Sequence, residues 1–490
     1  MAEPRRQPAD DAGGEPLPPA DFVFAPSVPT VPTRRVRHDR PGLHVRLFGS
    51  RMYFRLWLAQ VVSSFGDWIG FLAIAALAAR IGDDSAGAAV GLVMSARIVP
   101  GFFFAAAAGV LVDRWDRKKV MVICDIGRGA VLATLPFVDT IPGLVLASLV
   151  LEIFTLLWSP AKEASVPNLV PADHLTTANS LSLVAAYGSF PFASAFFALL
   201  AKVAEWVSSV DALDVLRPEQ LSIAFYVDAC TFLLSACLIG TLDLPRTRRA
   251  RQRRAPAEHR RAEVGRAVGE LKEGWRFIFI SPVVRSVMLG LGTGLIGGGM
   301  LVPLGPVFST QVLHAGDAGF GLFVTALGLG VAVGIALLSA VQKRLPKAGV
   351  FTAAVLMAGV SLLVASSLNT LALAALFVAV LGVCAGAVYV LGFTILHENV
   401  EDELRGRIFS TLYTLVRLCV LLAFAVGPLL AELLGDVSDA LFDGRIDLLG
   451  VSVAVPGVRL TLWLAGVIIL AAGGLSYRSL QAERRREPVG

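Results

Sequence analysis

Twelve apolar segments, each about as long as a membrane-spanning helix, recur along this chain. A helix needs roughly 20 apolar residues to cross the hydrocarbon core of a bilayer. Hydrophobic residues make up 55% of the 490 residues and charged residues only 17%, too apolar a balance for a domain solvated by water. We therefore predict an all-α membrane protein with twelve transmembrane helices. The predicted spans cover residues 53–80, 86–112, 119–138, 141–161, 179–204, 221–241, 283–308, 317–341, 348–368, 370–396, 408–434 and 458–478.

Lys and Arg are concentrated in the loops on one side of the predicted spans. They occur in the N-terminal tail, in the second, eighth and tenth loops and in the C-terminal tail, whereas the loops of opposite parity are mainly acidic or neutral. Short cytoplasmic loops hold the excess of basic residues in membrane proteins. We therefore predict that both termini are cytoplasmic, in the inner or plasma membrane.

A basic stretch at residues 244–281 separates two sets of six predicted spans. We predict a six-helix bundle over residues 46–243 and a second one over residues 282–480, joined by this cytoplasmic linker. The later part of the linker can lie amphipathically on an anionic leaflet, or the whole linker can be solvated. Residues 1–45, which are rich in Pro, Arg, Asp and Gly, are predicted to be a disordered cytoplasmic tail, and residues 481–490 a second tail.

A short internal echo supports two related halves. Residues 169–175 near the fifth predicted span and residues 399–405 near the eleventh align when one gap is allowed, and they stand six helices apart. Repeated halves are what a transporter that rocks about a central site requires.

The most specific local pattern lies between the second and third predicted spans, where residues 109–118 read Gly-Val-Leu-Val-Asp-Arg-Trp-Asp-Arg-Lys. Gly109 permits close helix packing, and Asp113 can meet a helix N-terminus. Arg114 and Arg117 can pair with carboxylates across a cytoplasmic gate. Alternatively, these arginines and Lys118 only anchor the orientation of the loop, but an Asp inside a basic cluster favours the gate.

This loop resembles the loop signature of the major facilitator superfamily. Five further sets of residues, in the same order along the chain, resemble the branch that contains macrolide-efflux and enterobactin-exporter proteins, and the resemblance spans roughly residues 48–480. They are Leu58-Ala59-Gln60 with Gly66-Asp67-Trp68, Tyr226-Val227-Asp228-Ala229, Glu273-Gly274-Trp275-Arg276-Phe277, Phe320-Gly321-Leu322 and Asp402-Glu403-Leu404-Arg405-Gly406-Arg407.

The resemblance implies a major facilitator fold in two pseudo-symmetric halves. It also implies secondary active export of small amphiphilic molecules by alternating access, with proton antiport, the proton-motive force as energy source and no cofactor. One departure bears on the antiport: the fifth predicted span keeps Pro191 of the antiporter pattern but not the glycines that follow it.

Three ionisable residues, Asp67, Arg97 and Glu152, are predicted at similar depth near the middle of the membrane. Such groups are costly in a membrane helix and are therefore functional candidates. Two of them lie on polar helix faces, which consist of Gln60, Ser63, Ser64 and Asp67 in the first span and of Ser148, Glu152, Thr155 and Ser159 in the fourth. The family lines its cavity with these two spans, so the resemblance makes Asp67, Arg97, Glu152 and Gln60 candidates for proton coupling. The alternative is a permanent buried ion pair that only ties helices together.

Four other charged residues lie within predicted spans. Asp125 and Arg128, three residues apart in the third span, are expected to pair with each other or with the adjoining gate. Asp228 has no predicted partner. Arg417 is expected either to meet an anionic substrate or to have a structural partner.

Several classes of protein find no support in the sequence. We find no nucleotide-binding Gly-rich loop, nucleophile elbow or metal-ligand cluster, and no module that reads nucleic acid. We therefore predict that the chain is not an enzyme, and that it is a monomer that binds a small-molecule substrate and the bilayer. An importer or a lysolipid flippase on the same fold, and a non-transporting scaffold or sensor, remain alternatives; the midplane carboxylates favour transport.

Overall fold

Helices hold nearly all of the residues that the structure describes. The computed structural model describes residues 47–112, 115–171, 174–208, 221–243, 281–341, 345–400, 402–442, 445–448 and 451–484. Predictions that concern the N-terminal tail, the linker up to residue 280, Asp113, Arg114 and residues 485–490 lie outside these residues.

The described α-helices are numbered here in chain order. In the first half they are α1 (Arg51–Gly82), α2 (Ala86–Ala96), α3 (Val99–Val112), α4 (Arg117–Thr134), α5 (Ile141–Ser165), α6 (Leu175–Tyr187), α7 (Phe190–Ser208) and α8 (Ser222–Gly240). In the second half they are α9 (Pro282–Gly299), α10 (Leu301–Gln311), α11 (Gly316–Val341), α12 (Lys347–Ser367), α13 (Leu371–Asn399), α14 (Asp402–Phe442) and α15 (Gly457–Arg484).

Twelve stretches of the described residues are helical, long and apolar enough to cross a membrane. They coincide with the twelve predicted spans, so the all-α membrane fold is confirmed. The largest difference is at the eleventh span, predicted over residues 408–434, because α14 extends to Phe442. Asp436 and Asp439 do not end this helix, since Leu433, Val437 and Leu441 continue its apolar spacing.

Three spans are each built from two helices, and a proline accounts for each break. The second span consists of α2 and α3, the fifth of α6 and α7, and the seventh of α9 and α10. A proline clashes with the carbonyl four residues earlier but is tolerated in the first turn of a helix. Pro100, Pro191 and Pro303 each stand in such a first turn, and the helices before them end four residues earlier, at Ala96, Tyr187 and Gly299.

Each half packs mainly on itself. In the first half α8 lies against α1 and α4, and in the second half α11 lies against α13 and α12 against α15. The contact between α11 and α13 depends on glycine: a Cβ at Gly334 or Gly386 would strike the backbone of the facing helix. Small residues allow this close approach of membrane helices, where burial of apolar surface from lipid provides no driving force.

The two halves meet near the end of the bundle that carries the loop between α1 and α2. There α2 packs on Pro428 of α14, and α7 packs on α11 with Thr325 donating a hydrogen bond to Ser194 Oγ over 3.1 Å. Arg80 and Asp317 form an ion pair of 3.3 Å across the same junction. In the predicted orientation this end is extracytoplasmic, so the halves are closed against each other on that side.

A short antiparallel hairpin follows α14. Its strands are β1 (Arg445–Leu448) and β2 (Val451–Ala454), with Arg445 opposite Ala454 and Leu448 opposite Val451. The sequence interpretation treated this stretch as an acidic loop. The hairpin is therefore a small addition to the all-α fold, and it lies outside the membrane-spanning helices.

Candidate functional site

Asp67 lies between two arginines in the first half. Its Oδ1 is 3.8 Å from Arg97 Nη2 and its Oδ2 is 3.5 Å from Arg128 Nη1. The Asp67 side chain is 33% exposed, whereas Arg97 and Arg128 are 13% and 3% exposed. The structure therefore brings together Asp67 and Arg97, as their predicted depth indicated, and adds Arg128 to them.

Arg97 stands at the break between α2 and α3. It is the first of two turn residues that separate these helices, and its guanidinium lies 5.6 Å from the centre of the Phe71 ring. Of these two helices, α3 packs on α5, whereas α2 packs on α14 of the other half as well as on α1 and α5. Arg97 therefore adjoins the part of the second span that contacts the other half.

Arg128 is enclosed by carboxylates and aromatic rings. It forms ion pairs with Asp125 and Asp67, and its guanidinium lies 4.2 Å from the centre of the Phe232 ring and 5.3 Å from that of Trp158. The fully buried Asp125 also accepts a hydrogen bond of 2.7 Å from Ser235. The sequence predicted the pairing within α4 but did not place it beside Asp67.

Asp228 on α8 has no partner predicted from the sequence. In the structure it packs against α1. It is 1% exposed, and a Cβ at Gly66 or Gly70 would overlap its carboxyl oxygens. Its Oδ1 lies 3.3 Å from Thr231 Oγ1. The signal in the sequence was the Gly-x-x-x-Gly spacing in the first span, which is typical of a close helix contact.

Glu152 on α5 is half-buried and interacts electrostatically with Arg97, Asp67 and Arg128. It also interacts with Arg417 of the second half. Among the described residues it has no ion pair within 4.0 Å. Glu152 therefore belongs to the same electrostatic group without sharing its direct contacts. We call this group the charge cluster; it comprises Asp67, Arg97, Asp125, Arg128, Glu152 and Asp228.

Gln60 takes part in a different network. Its Nε2 donates to the carbonyl of Ser182 on α6 over 3.1 Å, and its Oε1 accepts from Lys162 on α5 over 3.4 Å. Lys162 is 5% exposed and also lies 3.4 Å from Glu163. The structure thus places Gln60 among contacts that join α1, α5 and α6, and its role in coupling stays a prediction.

The predicted gate loop is described only in part. Gly109 lies near the end of α3, Lys118 is half-buried in the first turn of α4, and Asp113 and Arg114 fall outside the described residues. Arg117 Nη1 donates a hydrogen bond of 2.6 Å to the Ala164 carbonyl near the C-terminal end of α5. A cation at this position satisfies carbonyls that have no partner within the helix. The gate itself stays a prediction.

Comparison with known proteins decides the family. The family described as Major Facilitator Superfamily matches residues 56–410 and 287–489. The chain belongs to this superfamily. It is therefore a multi-pass membrane transporter and not an enzyme, and the family predicted from the sequence is confirmed.

Relatives of this major facilitator protein include efflux pumps. The chain is 26% identical to the multidrug efflux pump Tap of Mycobacterium tuberculosis (strain ATCC 25618 / H37Rv), over 79% of this chain and 87% of that protein. It is 23% identical to macrolide efflux protein A of Streptococcus pyogenes, over 78% and 90% of the two chains. The second of these is a macrolide efflux protein, the kind of relative that the sequence motifs indicated.

Solved structures show the same fold. The crystal structure of a bacterial homologue of the human lysosomal transporter Spinster, in an inward-facing and unoccupied conformation, matches with a TM-score of 0.67 at 15% identity, over 89% of this chain and 98% of that one. A D-xylose–proton symporter matches with a TM-score of 0.58 at 15% identity, over 87% and 97% of the two chains.

Proposed function

We propose that this major facilitator protein exports small amphiphilic molecules by proton antiport. Two relatives named as efflux pumps support export, although one structural neighbour is named as a symporter. The observation that carries the proposal is the position of Asp67, a carboxylate that is 33% exposed and bound by two nearly buried arginines.

Asp67 is suited to exchange a proton because its two charge states make different contacts. As a carboxylate it forms an ion pair with Arg97 and accepts a hydrogen bond from Arg128, and charge-assisted contacts are stronger than neutral ones. As a neutral acid it loses the attraction to both. A proton that enters from the cavity therefore releases Arg97, while Arg128 keeps its second partner, Asp125.

Release of Arg97 can affect the contact between the two halves. Arg97 lies at the break in the second span, and α2 on one side of that break packs on Pro428 of the other half. A discontinuous span allows its two helices to move separately. Protonation of Asp67 thereby favours a conformation in which α2 sits differently on α14.

Glu152 is a second carboxyl group that interacts with charges in both halves. It interacts with Arg97 in its own half and with Arg417 in the other. We propose that the attraction between Glu152 and Arg417 grows as the two halves approach each other. A proton on Glu152 removes its negative charge and therefore weakens the attraction that holds the halves together when no substrate is bound.

The remaining predictions complete the proposal. Both termini face the cytoplasm, residues 109–118 form the cytoplasmic gate, and the bundles extend over residues 46–243 and 282–480 around the linker. The protein acts as a monomer. A Cys introduced at Ala257 would then be labelled by an impermeant reagent only in inverted vesicles, and labelling in intact cells would contradict this topology.

The test of function is transport in inside-out vesicles with an imposed pH gradient. Ethidium and the macrolide erythromycin serve as probes. We expect the wild type to accumulate a probe when the vesicle interior is acidic, and Asp67→Asn and Glu152→Gln to reduce that uptake by about a hundredfold per folded molecule with probe binding retained. Asp139→Asn, which removes an exposed carboxylate outside the spans, is the matched control.

Three results would count against the proposal. Uptake by the wild type that ignores the gradient would exclude proton antiport. Probe movement in the opposite direction would indicate an importer. Unchanged uptake in both Asp67→Asn and Glu152→Gln would show that the charge cluster only holds helices together and does not couple transport to protons.

A further inference from the structure

We propose that Asp228 is a second proton-carrying residue, held as a neutral carboxylic acid behind Asp67. Its protonation follows from the contacts of Asp228 and the charges around it, whereas its part in transport rests on the proposed proton antiport.

The balance of charges in the cluster requires a neutral acid. Four carboxyl groups share Arg97, Arg128 and, at Glu152, Arg417 of the second half, and a buried charge without compensation is costly inside a membrane. Two of the four have direct ionic partners: Asp125 is bound by Arg128 and by the Ser235 hydroxyl, and Asp67 by Arg97 and Arg128. These two are therefore ionised. Of the other two, Glu152 has Arg417 of the second half to balance its charge, so the proton belongs on Asp228.

The contact with Thr231 indicates where the hydrogen atom of Asp228 lies. A threonine hydroxyl donates only one hydrogen bond. The Thr231 hydroxyl lies 2.7 Å from the Asp228 backbone carbonyl, which can only accept, and 3.3 Å from the Asp228 carboxyl. When the shorter contact takes the threonine hydrogen, the Thr231 oxygen is left as an acceptor to which a protonated Asp228 carboxyl group can donate over 3.3 Å.

The surroundings of Asp228 also disfavour a charge. Gly66 and Gly70 place the α1 backbone directly over both carboxyl oxygens, and the residue is 1% exposed. The charges that reach it are those of Asp67 on α1, Arg97 at the break of the second span and Arg128 on α4. Asp125, also on α4, is already paired with Arg128. None of these arginines forms an ion pair with Asp228 within 4.0 Å among the described residues.

The proposed step is a proton transfer from Asp228 to Asp67. The O–H bond of the Asp228 acid breaks, an O–H bond forms on the Asp67 carboxylate, and the negative charge moves to Asp228. The total charge of the cluster is unchanged. Arg128 keeps its ion pair with Asp125, whereas Arg97 loses its ion pair with Asp67, which is the release of Arg97 proposed above. Asp67 is 33% exposed and adjoins Gly66, so it connects the buried acid to accessible space.

Infrared spectroscopy of the full-length purified protein tests the protonation directly. Aspartate labelled with carbon-13 at the side-chain carboxyl shifts the band of a protonated Asp and leaves that of a protonated Glu in place. We expect the labelled wild type to show a protonated Asp band at neutral pH, Asp228→Asn to lose it, and the control Asp139→Asn to keep it.

Three outcomes would overturn the protonation. They are a wild type without a protonated Asp band, a band that persists in Asp228→Asn, and an Asp228→Asn variant that does not fold, since the amide closely matches a neutral acid in shape. The labelled wild-type spectrum does not depend on whether any variant folds.

Transport then tests the role. We expect Asp228→Asn to keep probe binding and to reduce uptake of ethidium or erythromycin driven by the pH gradient at least about tenfold. Wild-type uptake that ignores the gradient would refute antiport and leave the infrared result intact. Gradient-driven uptake that is equal in the wild type and Asp228→Asn would refute the role of Asp228 alone.

Discussion

Two buried arginines, Arg128 in the first half and Arg459 in the second, are held by different kinds of acceptor. Arg128 binds the carboxylates of Asp125 and Asp67. Arg459, at 1% exposure, donates to the backbone carbonyl of Ala454 and to the side-chain oxygen of Asn369. A proton can remove a carboxylate acceptor, but neither a backbone carbonyl nor an amide gains one near neutral pH. The contacts of Arg128 therefore depend on the protonation state of their acceptors, whereas those of Arg459 do not.

The difference extends to the halves that contain these arginines. In the first half the contact of α1 with α8 encloses the carboxyl group of Asp228, whereas the contact of α11 with α13 in the second half is formed by glycines and apolar residues. Arg459 ties the hairpin that ends at Ala454 to the loop between α12 and α13. We infer that the first half carries the proton and that the second half acts as a firm partner against which it moves.

The largest effect is expected from Arg128→Met. The fully buried Asp125 would lose its cation, and breaking a buried ion pair in this way costs about 3–5 kcal/mol. Thermal unfolding in detergent and the folded yield after size exclusion measure the loss. The double variant Arg128→Met with Asp125→Asn should regain part of it, because both charges are then absent. A single variant as stable as the wild type would show that Asp125 does not need this partner.

A smaller effect is expected from Arg459→Met. The carbonyl of Ala454 and the amide of Asn369 would lose their donor, which costs about 1–3 kcal/mol when the groups stay buried. Transport per folded molecule should keep the pH dependence of the wild type, since no acceptor titrates. Asn369→Ala, which removes one acceptor, is the matched control. If the pH dependence of transport shifted in Arg459→Met, Arg459 would not differ from Arg128 in the way inferred here.

The gate loop is expected to matter less than either buried arginine. Arg117→Ala removes the hydrogen bond to the Ala164 carbonyl, worth about 1 kcal/mol or about a fivefold change in a conformational equilibrium. We expect slower probe uptake with an unchanged folded yield. Lys119→Ala, which removes an exposed positive charge just outside residues 109–118, is the control. Equal turnover in Arg117→Ala and the wild type would contradict a gating role.

The membrane spans were predictable because length and hydropathy determine them. The breaks within the second, fifth and seventh spans were predictable only in part. Pro100, Pro191 and Pro303 lie in the first turn of a second helix, whereas Pro428 is accommodated inside α14. The four prolines look alike in sequence. Which of them ends a helix depends on the tertiary contacts that satisfy the freed carbonyl.

The charge cluster was predictable in part for a related reason. Depth along a helix can be counted from its ends, which brought Asp67 and Arg97 together. Rotation about the helix axis and the register between neighbours depend on packing, so Asp228 was not placed. Arg128 follows Met121, Cys124 and Asp125 on the buried face of α4, at spacings of three, one and three residues. That pattern would have indicated a buried pair.

The smallest effect is expected at the ion pair between Arg80 and Asp317, which joins the halves where they are closed. The two side chains are 42% and 16% exposed, and exposed pairs contribute about 0.2–1 kcal/mol. Arg80→Ala should therefore raise the population with this end open by at most about fivefold. Spin labels at Ser85 and Gln311, in a background without the native cysteines, report the separation of the halves. The exchanged pair Arg80→Asp with Asp317→Arg should restore the closed population, because the attraction acts between the same two positions. If Arg80→Ala instead opened this end almost completely, the ion pair would rank with the buried charge cluster, and closure could no longer be attributed mainly to the packing of α2 on α14 and of α7 on α11.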